Sequence, residues 1–150
     1  MKILGTVCAL AMMTWATVSA ADGDIVKVKA MNDVATTMDN LEAAVSGAGA
    51  TVFARVDHGA GAVKVGVEMG DSQLLIFGNP KMGAPAMQLD PLAGLFLPLK
   101  VLVYADADGQ VWLAYEEPAE TLEDLAIPKD AEFLKKMTGA LSKLTGKAAG

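Results

Sequence analysis

Cysteine and histidine are almost missing from this chain: 150 residues hold one of each, Cys8 and His58. Cys8 falls in a segment that reads as a cleaved leader, so the exported chain is expected to carry no cysteine. That excludes a disulfide, a thiolate nucleophile and a Cys-ligated zinc or iron–sulfur site. A single histidine leaves a His/carboxylate zinc site undersupplied, and no metal is expected. Basic residues are also short, 12 against 18 acids, for a net charge of −6 and a pI near 4.6. Phosphates need a basic footprint, so neither nucleic acid nor an anionic membrane surface is expected as a partner. There is no G-x-S-x-G, no phosphate loop and no dinucleotide fingerprint, so no cofactor is expected. Internal repeats and low-complexity linkers are missing too. What is present is 53% apolar residues and 20% charged. That suits one packed domain and excludes a disordered or collagen-like chain.

Residues 1–20 read as a secretory signal. Lys2 is the positive start, Ile3 to Val18 is mostly apolar, and Val18-Ser19-Ala20 offers small residues to a signal peptidase. Cleavage is expected after Ala20, leaving 21–150 as a single domain with a periplasmic address and no further membrane association. A retained anchor fits less well, because a spanning helix needs about 20 predominantly apolar residues. Cys8 follows Val7 and comes too early for a lipoprotein site.

The remaining chain alternates strand and helix signals. Ile25 to Ala30 alternates apolar and charged residues, as a half-exposed strand does. Thr36 or Thr37 is placed to cap a helix on which Met38, Leu41, Val45 and Ala48 recur at helical spacing, ended by Gly47 and Gly49. Thr51 to Asp57 reads as a second strand and Ala60 to Met69 as a short helix. Gln73 to Phe77 is a buried strand closed by the turn signal Gly78-Asn79-Pro80. Residues 82–97 look irregular, with Pro85, Pro91 and two glycines. Leu99 to Ala105 and Gln110 to Glu116 form the clearest hairpin, joined by Asp106-Ala107-Asp108-Gly109. One helical turn is expected between Thr121 and Ala126. Asp130 then caps a last helix with Leu134, Met137, Leu141 and Leu144 as its stripe. This order predicts an α+β fold, strand–helix–four-strand–helix, with an antiparallel-rich sheet and helices on one face.

Three stretches, FARVDHGAGAVKVG from Phe53, LLIFGNPKMGAPAM from Leu74 and LPLKVLVYADADGQVWLAYEEP from Leu97, together resemble the domain of unknown function 302 family of small bacterial proteins. The resemblance runs from about Leu41 to Pro118. It implies a TATA-binding-protein-like α+β arrangement, often paired as a dimer, and no established activity. Two departures stand out: Gly70-Asp71 where relatives often have Arg-Pro, and Phe96 where they often have Asp before Leu-Pro.

Several groups of residues invite a chemical reading. Asp57 beside His58 resembles an oriented imidazole for acid–base work, although strand neighbours point to opposite faces. Asn79 and Lys81 offer an amide and a cation at a rigid turn, where turn mechanics alone also favour Asn and Pro. Lys100, Leu102 and Tyr104 share a face opposed by Trp112, Ala114 and Glu116, or else by Val111, Leu113 and Tyr115. Met69, Met82 and Met87 with His58 suggest soft copper ligation, without any M-x-x-M cluster; Met38 and Met137 belong to helix stripes and read as core.

The expected candidate ligand site is therefore His58, Asn79, Lys81 and Lys100, with Asp57, around one net-positive concavity that favours an anionic or carbonyl-bearing molecule. It requires the second and third strands to run parallel. The function expected is a module that binds a small molecule or a protein without catalysis. The alternatives are an enzyme using His58 as acid–base, or a metal or redox-stress accessory protein. The apolar run Leu92, Leu95, Phe96 and Leu97, beside a sheet with one uncovered face, points to a homodimer.

Overall fold

The computed structural model describes residues 25–150. The expected leader and its cleavage site lie outside the described residues. Five strands form one antiparallel sheet: β1 (Ile25–Lys29), β2 (Thr51–Asp57), β3 (Ser72–Gly78), β4 (Leu99–Ala105) and β5 (Val111–Glu116), in the spatial order β1-β5-β4-β3-β2. Two long helices, α1 (Val34–Gly47) and α5 (Glu132–Ala149), pack on one face. Between them in the chain come α2 (His58–Lys64), α3 (Pro80–Leu89), a 3-10 turn over Pro91–Leu95, and α4 (Pro118–Thr121). The α+β architecture with helices on one face is thus observed.

Strand alternation sets the two faces. Leu75 and Phe77, Val101 and Val103, and Val111, Leu113 and Tyr115 point into the helices and are buried. Against them α1 sets Val34, Met38, Leu41 and Val45, and α5 sets Leu141, Leu144 and Ala148. Phe77, Met38, Leu41 and Leu113 are at most 2% exposed, so each contributes roughly 1.5–3 kcal/mol of transfer free energy. Leu102 pairs with Ala114 and Tyr104 with Trp112, so Lys100, Leu102 and Tyr104 share the opposite face with Trp112 and Ala114. That face carries no long helix.

Local chemistry explains where the elements begin. The cap of α1 is Asp33, not Thr36 or Thr37: its Oδ1 accepts from Thr36 N at 2.7 Å. A carboxylate three residues upstream satisfies the free amide and leaves the threonines inside the helix. Asp57 likewise caps α2, accepting from Ala60 N at 2.7 Å. The helix therefore starts at His58 and ends at Lys64, earlier than the Ala60 to Met69 span expected, because Gly66 turns the chain at φ 75°. Asp130 does not cap α5; Ala131 stands at that position without a side-chain bond. The helical turn expected between Thr121 and Ala126 comes earlier, at Pro118–Thr121, since proline suits a first helical position.

Two corrections bear on function. Residues 82–97 are not irregular: Pro80–Leu89 is a helix, followed by the 3-10 turn. Asn79 caps α3 by accepting from Lys81 N at 3.0 Å, and Pro80 occupies its first turn. Second, β2 and β3 are antiparallel, with Thr51 opposite Gly78 and Asp57 opposite Gln73. A short helix can bridge antiparallel neighbours as readily as a hairpin loop does, so α2 does not imply a parallel pair.

Candidate functional site

The antiparallel register divides the expected site. His58 leaves one end of the β2–β3 pair and Asn79 the other; the paired register between them, Gln73 to Gly78, alone spans five strand steps or about 17 Å. The four residues do not surround one concavity. His58 is exposed, and Asp57 is occupied in capping α2. Met69 stays at the His58 end, whereas Met82 and Met87 lie at the Asn79 end, so the soft-ligand group is divided as well. No cluster of three or more His, Cys, Asp or Glu suited to a metal occurs among the described residues.

Asn79, Lys81 and Lys100 do share an end of the sheet, because Ile76 pairs with Lys100 and Phe77 with Leu99. Lys100 nevertheless faces a separate cleft, with Glu116, Pro118 and Thr121, whose space of about 20 Å³ suits one water. Its Nζ donates to Phe96 O at 2.9 Å. Phe96 thus offers Lys100 only a main-chain carbonyl at the position where the resemblance implies a carboxylate. Leu97 and Leu99 line both spaces and form the wall between them.

On the other side of that wall is a cavity of about 330 Å³. Gly78 and Leu99 from the strand ends, one side of α3, Pro98 and Met137 of α5 line it, together with the exposed Phe53 of β2, and it is open to solvent. The geometry follows from local sequence. The β2 register slips between Val52 and Ala54, where Phe53 is the extra residue, and a bulge re-aims its side chain. Gly78 lacks a Cβ at a point where one would stand 3.4 Å from both the Phe53 ring and Pro98. On α3, Met82 and Ala86 recur four apart, as do Gly83 and Met87, so one helical face turns inward. Ala86 packs into a small second core with Ala93, Leu122, Ile127 and Leu134, which fixes the helix against α5.

The lining is chemically simple. Met82, Met87 and Met137 contribute three thioethers, Phe53 a ring, and Leu97, Pro98 and Leu99 aliphatic surface; Asn79 contributes the one polar side chain. None of these groups titrates near neutral pH, so the surface the cavity offers is apolar and uncharged. Sequence reasoning finds Asn79 but misses Phe53, Met82, Gly83, Met87 and Met137 as a group. Met137 is expected in the core, and at 1% exposure it is buried, yet it also forms part of the cavity wall. The signal available is the concentration of Met82, Gly83 and Met87 after a capping Asn-Pro.

A helix-backed antiparallel sheet with an apolar concavity at one end defines a small α+β domain. The chain belongs to the family described as Domain of unknown function DUF302, whose model matches residues 26–144. The crystal structure of an uncharacterized conserved DUF302 protein from Bacillus stearothermophilus has the same fold. Its TM-score is 0.75 at 19% identity, over 83% of this chain and 97% of that one. Among curated proteins, the chain is similar to "Fluoride-specific ion channel FluC 1" of Brucella suis biovar 1, 37% identical over 134 residues. That match covers 88% of this chain and 52% of the relative. The FluC 1 protein of Brucella abortus biovar 1 is also 37% identical, with 49% of its length covered. The chain thus spans about half the length of the curated relatives it matches. No helix among the described residues is long and apolar enough to cross a membrane.

Proposed function

We propose that this domain is a non-catalytic binding module that takes a small, largely apolar molecule into the cavity between β3, α3 and α5. The observation that carries the reading is the 330 Å³ chamber with one polar side chain in its lining. A guest that covers the apolar lining gains free energy by taking that surface out of water. Methionine suits such a wall because its unbranched thioether adapts to differing shapes.

The module is proposed to work in the periplasm, on the strength of the Lys2, apolar-run and Val18-Ser19-Ala20 pattern. The similarity to the fluoride-channel proteins concerns about half their length, and ion conduction is not proposed for this chain.

The test is titration with the neutral fluorescent probe N-phenyl-1-naphthylamine. Enhanced, saturable emission is expected with the wild-type domain. It should be lost in Gly83→Leu, whose side chain would grow into the cavity past Leu97 and Met87, each about 4 Å from an added Cβ. Equal emission from both proteins would overturn the reading.

A further inference from the structure

We infer that a second copy of this chain completes the site: Leu95 of each copy lies across the open mouth of the other's groove, so that ligand binding and dimerisation strengthen each other. The inference rests on the cavity reading above and adds to it the partner that closes the groove. The groove is open to solvent, so a guest lying in it keeps one side in water. Around the opening stand Phe53, Met87, Leu89, Leu92, Leu95 and Phe96, each between 37% and 77% exposed. Phe53 and Met87 line the groove itself. A Cβ at Gly94 would stand 3.5 Å from Met87 Sδ, so the 3-10 turn that carries Leu92 and Leu95 adjoins the groove.

Size, charge and shape single out a second copy as the cover. At about 200 Å² for a whole side chain of this kind, these exposures amount to about 640 Å² of surface. That is above the roughly 300–600 Å² of the largest apolar patch on an ordinary monomer, and close to the roughly 800 Å² that each partner buries in a standard interface. Residues 82–99 hold a single charged residue, Asp90. Its Oδ1 accepts from Leu92 N at 2.9 Å and its Oδ2 from Ala126 N at 3.1 Å, so it is spent on the chain's own amides. Beyond Lys81, the outward positions of α3 are Ala84, Met87, Gln88 and Leu89, none of them charged. Two copies can therefore meet there without repulsion, and the centres of interfaces are depleted of charge in the same way. The patch also carries both a hollow and a projection: the groove, and Leu95, the most exposed residue of the group. A two-fold axis between them lets the projection of each copy meet the hollow of the other, and the contact closes on itself.

The arrangement couples the two equilibria. A guest covered on its outer side by a second copy loses that surface to water as well, and about 55 Å² of apolar surface is worth tenfold in affinity. Linkage is reciprocal, so each guest tightens the dimer by the factor by which the dimer tightens the guest.

The experiment titrates N-phenyl-1-naphthylamine into wild type at protein concentrations below and above the dimer midpoint, and into Leu95→Glu and Val65→Glu, with sedimentation of each protein with and without the probe. The wild-type comparison needs no substitution. Leu95 is outside the lining of its own groove and exposed, so Leu95→Glu leaves groove and core intact. Val65 is 76% exposed beyond the opposite end of the β2–β3 pair and controls for an added surface charge. The probe should bind the wild-type dimer at least tenfold more tightly than the wild-type monomer or Leu95→Glu. It should lower the dimer midpoint about a hundredfold, tenfold for each of the two sites. Val65→Glu should match wild type in both readouts. Equal affinity for wild type and a monomeric Leu95→Glu would overturn the inference and leave the cavity reading standing, because the groove would then be complete in one copy. So would a Leu95→Glu that stays dimeric, or a wild type that stays monomeric at saturating probe and binds phosphatidylcholine vesicles instead. If the probe binds none of the proteins, the cavity reading itself fails, and this inference with it.

Discussion

Asp106 shows how much one side chain organises. It opens the β4–β5 connection, and its Oδ1 accepts from Asp108 N at 3.0 Å and Gln110 N at 2.9 Å. Its Oδ2 accepts from Trp112 Nε1 at 2.8 Å. The Trp112 bond first, then the main-chain amides, hold this carboxyl below the usual aspartate range. A pKa lowered on folding stabilises the native state above the unfolded value, and that stability is lost as pH falls through the folded value. Wild type should therefore lose stability on acidification below about pH 4 more steeply than Asp106→Asn, as read by denaturant midpoints across the acid range. Parallel acid limbs for the two proteins would refute the assignment. Gly109, at φ 78°, completes the same turn, and only glycine adopts that conformation without strain. In the core, Met38 has no exposed surface, so Met38→Ala should cost about 2–5 kcal/mol in urea unfolding.

At the scale of elements, α3 carries the functional argument. Its cap is exposed to a direct check: Asn79→Ala should destabilise the domain by about 1 kcal/mol, while Asn79→Asp should melt close to wild type. Equal losses in both would mean that the bond from Lys81 N contributes nothing. This helix is also the element least legible in the sequence. Pro80, Gly83, Pro85 and Pro91 break the apolar period that reveals helices such as α1 and α5, and helix propensity alone argues against them. Proline at the start is compatible with a helix, and the packing of Ala86 against Ala93 and Leu134 supplies what propensity does not. The strands are readable because Leu75, Phe77, Val101, Val103 and Leu113 alternate with outward residues, and Asp-Gly marks their hairpin. Strand direction is not readable. Nothing between Asp57 and Ser72 distinguishes a return from a crossover, and the expected site depends on that choice. Asn79 is legible because turn chemistry is local; Phe53 and Met137 reach the same cavity from far along the chain, which no local pattern records.

The whole molecule presents two kinds of surface. One sheet face is covered by α1 and α5, and Arg55 ties edge strand β2 to α1 by bridging Asp39 at 2.6 Å and Glu42 at 3.3 Å. These pairs are partly solvated, so Arg55→Ala should cost no more than about 1 kcal/mol. The second kind is apolar and open. Leu92, Leu95 and Phe96 are 56%, 77% and 37% exposed beside the cavity wall, an arrangement that supports the proposed homodimer. Sedimentation should give a dimer at micromolar concentration, and Leu95→Glu should shift it to monomer; a wild-type monomer would contradict the proposal. The central claim, that the chamber between β3, α3 and α5 receives a ligand, is best tested through its own methionines. With ¹³C-methyl methionine, N-phenyl-1-naphthylamine should move the resonances of Met82, Met87 and Met137 together and to saturation. Those of Met31 and Met69, distant and exposed, should stay in place. Stationary signals from the three cavity methionines at saturating N-phenyl-1-naphthylamine would contradict the account.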